Sequence, residues 1–279
     1  MSEHRAIRIG VVAPSCRVPV DLPLRLATLA AEAFGARAPE IVFHPQCFEQ
    51  AGHFAGPDAA RAQAFVEVAN DPSFDVLWFG RGGYGSFRLV DMVLPHLDAA
   101  ARAKTYMGYS DAGAMLGALY GAKVGRVAHG PMPNDLNRLG GDEAVVRALS
   151  FLVDGDASAL EPSVAERPTA AFNITILSHL IGTPAMPDLS GHVVMLEEVS
   201  EAMYRIDRAL GQITAAIRGA AGLMLGRCSD ITPNDPDFAM TEEQVAQYWC
   251  ARSGIPWLGR ADIGHDTANK VVPFGTWGQ

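Results

Sequence analysis

The 279-residue chain has four cysteines, Cys16, Cys47, Cys228 and Cys250, and no two of them form a C-x-x-C pair. That spacing excludes a zinc knuckle or a disulfide framework and suits reduced thiols in a cytoplasmic protein. Long apolar runs are missing as well. No window approaches the roughly 18 apolar residues of a membrane span. The opening MSEHRAIRIGVVAPS is interrupted at Pro14, so it reads as a first strand and not as a secretory signal. Basic clusters are also absent: 22 lysines and arginines lie scattered against 31 acidic residues, for a net charge of -9. Nothing could neutralise a phosphate backbone, which argues against a nucleic-acid partner. An anionic substrate would have to be met by local arginine or lysine, because the overall field repels it.

What is present is a globular composition, 49% hydrophobic and 19% charged, long enough for one large domain or two modest ones. Apolar runs at 7–12, 40–43, 74–79, 105–109 and 125–128 alternate with helical patterns at 22–36, 58–70 and 112–120. This alternation predicts a parallel sheet with helices on both faces over residues 1–150. The stretch 151–170, VDGDASALEPSVAERPTA without its first apolar turn, has two prolines and no apolar period, and reads as a linker. Residues 171–279 then form a second unit. Its pattern gives an apolar segment at 174–181, a strand at 192–196, a helix at 202–218 and a strand at 223–225. A further helix follows Thr241 as N-cap, and short strand candidates lie near Leu258 and Val271.

The sharpest local feature is Gly108-Tyr109-Ser110-Asp111, where a strand runs into a helix. A tight turn there would lift the Ser110 hydroxyl above the sheet edge, at the positive end of the helix dipole. The pattern approximates the nucleophile elbow G-x-S-x-G, with Gly113 one residue late. A serine at a helix start is otherwise simply an N-cap. Gly80-Arg81-Gly82-Gly83-Tyr84-Gly85 formally satisfies G-x-G-x-x-G, but it follows the third strand and lacks the features of a dinucleotide fingerprint or a P-loop. Its glycines suit a close backbone approach to a ligand. The N–H of Gly82 or Gly83 could complete an oxyanion hole with that of Asp111.

A serine nucleophile needs a base, and the base needs an orienting acid. Among eight histidines, His265 in a polar Gly-His-Asp loop and His129 after a strand end both qualify. For the acid, Glu197 and Glu198 close the run HVVML. Neighbours in a strand face opposite ways, so one of the two can point into a site. Spacing does not choose between them.

Taken together these segments resemble the LD-carboxypeptidase family of serine peptidases, in the superfamily of murein tetrapeptide carboxypeptidases and microcin-immunity hydrolases. The resemblance runs over nearly the whole chain: VVAPS (11–15), FAGPDAARA (54–62), RGGYG (81–85), GYSD (108–111), HGPM (129–132), GTP (182–184), LEEV (196–199), YRIDR (204–208), GH (264–265) and PFG (273–275). It implies Ser110 as nucleophile, Glu197 as acid and His265 as base, with His129 left a structural role. It also implies a flavodoxin- or Rossmann-like nucleophile domain, a smaller β-rich α+β domain that supplies acid and base, and a homodimer. Two departures stand out. Ala171-Phe172 replaces the glycine pair that usually opens the second domain, and Glu198 stands where aspartate is usual.

The expected reaction is release of terminal D-alanine from a murein tetrapeptide during cell-wall recycling, without metal or organic cofactor. Arg81 is the candidate for binding a substrate carboxylate; an interdomain salt bridge would be its structural alternative. A microcin-immunity type of hydrolysis, acting on peptidyl or aminoacyl nucleotide conjugates, is the second enzymatic reading. A small-molecule binding module using the glycine-rich loop is the third.

Overall fold

Short apolar runs bounded by turns become the strands of a doubly wound sheet in the computed structural model, which describes residues 5–164 and 167–276. Strands β1 (Arg8–Val12), β2 (Glu40–Phe43), β3 (Val76–Phe79), β4 (Thr105–Gly108) and β5 (Arg126–His129) are parallel, in the spatial order β5-β4-β3-β1-β2. Helices α1 (Leu22–Phe34), α2 (Asp58–Asn70), α3 (Val90–Val93), α4 (Ala99–Arg102), α5 (Gly113–Gly121) and α6 (Gly141–Asp154) connect and cover them. The period of two in β3 sorts its side chains. Leu77 and Phe79 enter the core under α2 and α5, while Val76 and Trp78 enter the core under α1 and α6. This is the flavodoxin-like strand order. It reverses between β1 and β3, and such sheets bind ligands at the carboxyl ends of strands beside the reversal. The loops after β1, β3 and β4 all open on that edge.

Helix α6 lies where the sequence reading assigns none, and its last turn occupies the start of the expected linker at 151. It begins on Gly140-Gly141 with no capping side chain, so the usual start signal is missing. Its end is better marked: Gly155 adopts a φ of +65° and donates its N–H to the Phe151 carbonyl.

The second sheet is made of β6 (Thr169–Asn173), β7 (Val193–Val199), β8 (Gly222–Ser229) and β9 (Trp257–Arg260), parallel and in that order. Helices α7 (Ile174–Leu180), α8 (Met203–Ala216) and α9 (Glu242–Ser253) form the crossovers. A second, smaller sheet-bearing unit is thus present, and its wiring is βαβ throughout, which parallel strands require. Thr241 caps α9 reciprocally with Gln244, in a capping box.

The chain does not end in this second sheet. The strand near Val271, β10 (Val272–Pro273), crosses back and pairs antiparallel with β5, Val272 opposite His129. Gly275 then exchanges two main-chain hydrogen bonds with Thr169 at the start of β6. The last segment therefore sits between the two sheets, and one hydrophobic core runs through both units. Phe172 belongs to that core. It is fully buried, packs on α5 beside Gly113 and Gly117, and meets the Phe274 ring at 5.0 Å. Ala171-Phe172 is extended strand in β6, where the glycine pair's backbone freedom is not needed. No described helix is long and apolar enough to cross a membrane.

Candidate active site

The turn from β4 into α5 forces Ser110 into the left-handed region, with φ at +61°. A β-carbon there is strained by roughly 1–3 kcal/mol, a cost that persists only where neighbouring contacts impose it. Asp111 supplies those contacts. Its carboxylate accepts from Ser15 Oγ at 2.5 Å and from the Ser86 N–H at 2.8 Å, and its carbonyl accepts from Ser86 Oγ at 2.5 Å. One buried residue thus ties the turn that carries Ser110 to the loops after β1 and β3.

One loop of the second unit reaches Ser110, and a strand of that unit backs it. His265, in the loop after β9, accepts from the Ser110 hydroxyl at Nε2, 2.9 Å away. Its Nδ1 donates to Glu197 Oε2 in a short hydrogen bond. A carboxylate only accepts, so this contact fixes the proton on Nδ1 and frees Nε2 as a base. Glu197 lies where the pairing of β7 with β8 shifts register between Leu196 and Glu198, and bulges of this kind re-aim a side chain. Gly226 on β8 makes room, since a β-carbon there would stand 3.1 Å from Glu197 Cβ. Burial disfavours a charged His265, but the adjoining Glu197 carboxylate and its hydrogen bond outweigh that and raise the imidazole above its ordinary value. Glu197 Oε1 is buried with no hydrogen-bond partner among the described residues.

Glu198 serves a different purpose. Its oxygens accept from Asn173 Nδ2, from the Thr175 N–H and hydroxyl, and from the Val199 N–H, at 2.6–2.9 Å. It locks β7 to the start of α7, and burial pushes its carboxyl above the usual range. His129 also stands away from Ser110. It is buried, bonds Asn269 Oδ1 through Nε2 at 3.1 Å, and burial drives its imidazole down to about 4. Asn269 Oδ1 in turn accepts from the Gly264 N–H at 3.1 Å, so His129 buttresses the loop that carries His265.

A cavity of about 200 Å³ opens beside Ser110 and His265, lined also by Arg81, Gly82, Gly83 and Arg138. At Gly82 a β-carbon would stand 3.2 Å from Ser110 Oγ, so glycine leaves that space to a ligand. Gly83 has a φ of +118° and packs on Cys16 Sγ. Arg81 is exposed and donates to the Arg17 carbonyl at 3.2 Å. Among the described residues it pairs with no carboxylate. Phe172 is not among the lining residues. No three His, Cys, Asp or Glu side chains of the described residues could together hold a metal ion.

Asp135 and Arg138, to which the sequence reading gives no role, also line the cavity, beside Tyr109 of the GYSD motif. Buried Asp135 accepts from the Tyr109 hydroxyl at 2.8 Å, from Arg138 Nε at 3.1 Å and from the Met132 N–H at 2.8 Å. Arg138 Nη1 also donates to the His265 carbonyl at 2.6 Å. The Tyr109 ring lies 5.1 Å from that of His265. The only signal in the sequence was the i, i+3 acid–base pair a few residues beyond HGPM.

Comparison with known proteins agrees with this architecture. The sequence profile of the LD-carboxypeptidase N-terminal domain matches residues 9–130, and that of the LD-carboxypeptidase C-terminal domain matches residues 169–279. A Synechocystis sp. protein provisionally named a carboxypeptidase is 30% identical, over 85% of this chain and 80% of the relative. The murein tetrapeptide carboxypeptidase of Pseudomonas aeruginosa is 24% identical over 96% of this chain and 91% of its own. The crystal structure of muramoyltetrapeptide carboxypeptidase from Oxalobacter formigenes superposes with a TM-score of 0.77 at 25% identity, covering 95% and 93% of the two chains. The microcin C7 self-immunity protein, solved with aspartyl sulfamoyl adenosine, shares the fold with a TM-score of 0.78 at 17% identity, over 97% and 91%. The two matched domains, in order and over most of the chain, identify this protein as a member of the LD-carboxypeptidase family, a family of peptidases.

Proposed function

We propose that the protein is a serine LD-carboxypeptidase that releases terminal D-alanine from murein tetrapeptides, with Ser110, His265 and Glu197 as its catalytic triad. One observation carries the reading: His265 bridges a backbone-strained Ser110 and a buried Glu197. Ser110 Oγ attacks the scissile carbonyl carbon while His265 Nε2 takes its proton, and Glu197 holds the resulting imidazolium. The N–H of Asp111, with that of Gly82 or Gly83, receives the oxyanion; losing one such donor costs on the order of 10²–10³ in turnover. His265 then protonates the leaving amine of D-alanine, and water, deprotonated by the same imidazole, resolves the acyl-enzyme. The murein assignment follows the named relatives from P. aeruginosa and O. formigenes. With it come a cytoplasmic role in cell-wall recycling, which four free cysteines suit, and a homodimeric state.

The deciding experiment measures D-alanine release from a murein tetrapeptide by the wild type and by Ser110→Ala. The reading requires release by the wild type alone. Equal release by both would remove Ser110 from the chemistry. Release by neither would turn attention to peptidyl or aminoacyl nucleotide conjugates. That second class rests on likeness of fold alone, and the departure at Ala171-Phe172 lends it nothing, since Phe172 is interior.

A further inference from the structure

We infer that Arg138 reads a free carboxylate on the leaving group, so that the site accepts the last residue of a peptide and rejects an internal bond. The inference rests on the hydrolase reading above and adds to it the residue that sets exopeptidase specificity.

Two guanidinium groups line the cavity beside Ser110, and they are held differently. Arg81 is exposed and anchored by one 3.2 Å bond to a main-chain carbonyl. Arg138 is held at two nitrogens, Nε on Asp135 and Nη1 on the His265 carbonyl. The Tyr109 hydroxyl also lies within hydrogen-bonding reach of the guanidinium, and the side chain stays 44% exposed and lines the cavity. A fixed guanidinium loses little freedom when it binds, which favours it over a mobile one.

Its place also fits the chemistry. Arg138 bonds the backbone of the residue whose imidazole would protonate the leaving amine. In a terminal amino acid, the amine nitrogen and the carboxylate carbon are separated by a single Cα. A group that delivers a proton to the first must therefore lie close to a group that binds the second. Asp135 pairs with Arg138 at Nε and holds the guanidinium in place. Its oxygens are already taken up by Tyr109, Met132 and Arg138 itself. The chain's net charge of -9 means that an anionic leaving group is held only by such a local cation. The volume, about 200 Å³, admits one small residue and lies below the roughly 300 Å³ at which pockets for larger ligands begin.

A sulfamate- or phosphate-linked nucleoside offers an oxyanion at the same place on its leaving group. The planar fork of a guanidinium matches a carboxylate best, and the test separates the sources. The probes are a murein tetrapeptide ending in D-alanine, the same peptide ending in D-alaninamide, and an aminoacyl sulfamoyl nucleoside. kcat/KM is compared for wild type, Arg138→Gln, Arg138→Lys and Arg81→Gln, with folding checked by circular dichroism. The wild type should prefer the free acid over the amide by about 10–100-fold, the contribution of charge-assisted hydrogen bonds. Arg138→Gln should bring the two peptides to within a few-fold, chiefly through KM on the acid, and Arg138→Lys should fall between.

A purely structural Arg138 would lower both peptides alike and leave their ratio intact; that result overturns the inference, as does loss of the preference in Arg81→Gln alone. Turnover of acid and amide at equal rates by the wild type sinks the clamp while leaving the hydrolase intact. Turnover of neither peptide, with the nucleoside cleaved in an Arg138-dependent way, assigns the clamp to nucleotide conjugates and overturns the carboxylate. Failure of all three probes, joined to failure of Ser110 to react with a fluorophosphonate, removes the hydrolase reading itself.

Discussion

Glu197 and Glu198 are neighbours on β7 and serve opposite faces of it: Glu197 turns to His265, and Glu198 turns to Asn173 and Thr175 at the start of α7. Both are buried carboxylates on one strand, yet their replacement should have different consequences. Glu197→Gln keeps shape and loses the charge that orients the imidazole, and should lower kcat by on the order of 10⁴, as loss of a triad acid does. Glu198→Gln should retain most activity and instead lower stability by about 1–3 kcal/mol, because an amide cannot accept at both ends. Steady-state kinetics beside urea unfolding of each variant separates the two roles. Equal kinetic losses would argue against the division.

The strain at Ser110 gives a second expectation. Its φ of +61° is tolerated by glycine far better than by any residue with a β-carbon. Ser110→Gly and Ser110→Ala should both abolish turnover, but the glycine variant should be the more stable of the two by on the order of 1 kcal/mol. Denaturant midpoints at constant m-value measure this difference. A less stable glycine variant would mean that the turn imposes no strain.

The pH dependence follows from His265. The imidazole must be neutral to accept the Ser110 proton, and its proton is held more tightly than in a free imidazole, of pKa about 6.5. The acid limb of kcat/KM should therefore rise with pH through a midpoint above that value. In Glu197→Gln the largest effect that raises the imidazole is lost while burial still lowers it, so the residual activity should show its midpoint shifted downwards. A profile whose acid limb does not move between the two proteins would contradict this assignment of cause.

His129 should be visible in stability rather than rate. Buried and neutral, it titrates at about 4 in the fold, against about 6.5 in the unfolded chain. The unfolded state then binds the proton first. The stability is complete above pH 6.5 and is lost as pH falls towards 4, by about 3 kcal/mol over that window. His129→Gln, which keeps an amide near Asn269, should flatten the difference between unfolding free energies measured at pH 7 and pH 5. An unchanged difference would locate the acid sensitivity elsewhere.

Much of this protein was legible in its residues. Alternating apolar runs and helical periods fix the strands of the first sheet, because burial on both faces demands them. Gly-Tyr-Ser-Asp marks a strand-to-helix turn, and Arg81 to Gly85 marks a glycine-rich loop, three of whose residues line the cavity with Ser110. Those signals are local, each carried by a few consecutive residues. Helix α6 escaped because its start has no cap to announce it. Ala171-Phe172 departs from the family's usual glycine pair, and only the fold shows Phe172 to be core packing on α5.

What the chain's sequence could not decide was set by contacts between residues far apart in it. Nothing local says that Glu197 rather than Glu198 meets His265, or that His265 rather than His129 meets Ser110; register in β7 and the loop after β9 bring those contacts about. Arg138 gains its place only because the chain folds His265 back over it, 127 positions later. The strand at Val272 reads like any short apolar run, yet it leaves its own sheet to pair with β5 and closes the two units on one core. Local patterning determines which elements form, because propensity and amphipathicity act over a few residues. Which elements meet, and so which side chains share a site, depends on burying their faces together, and that is a property of the whole fold.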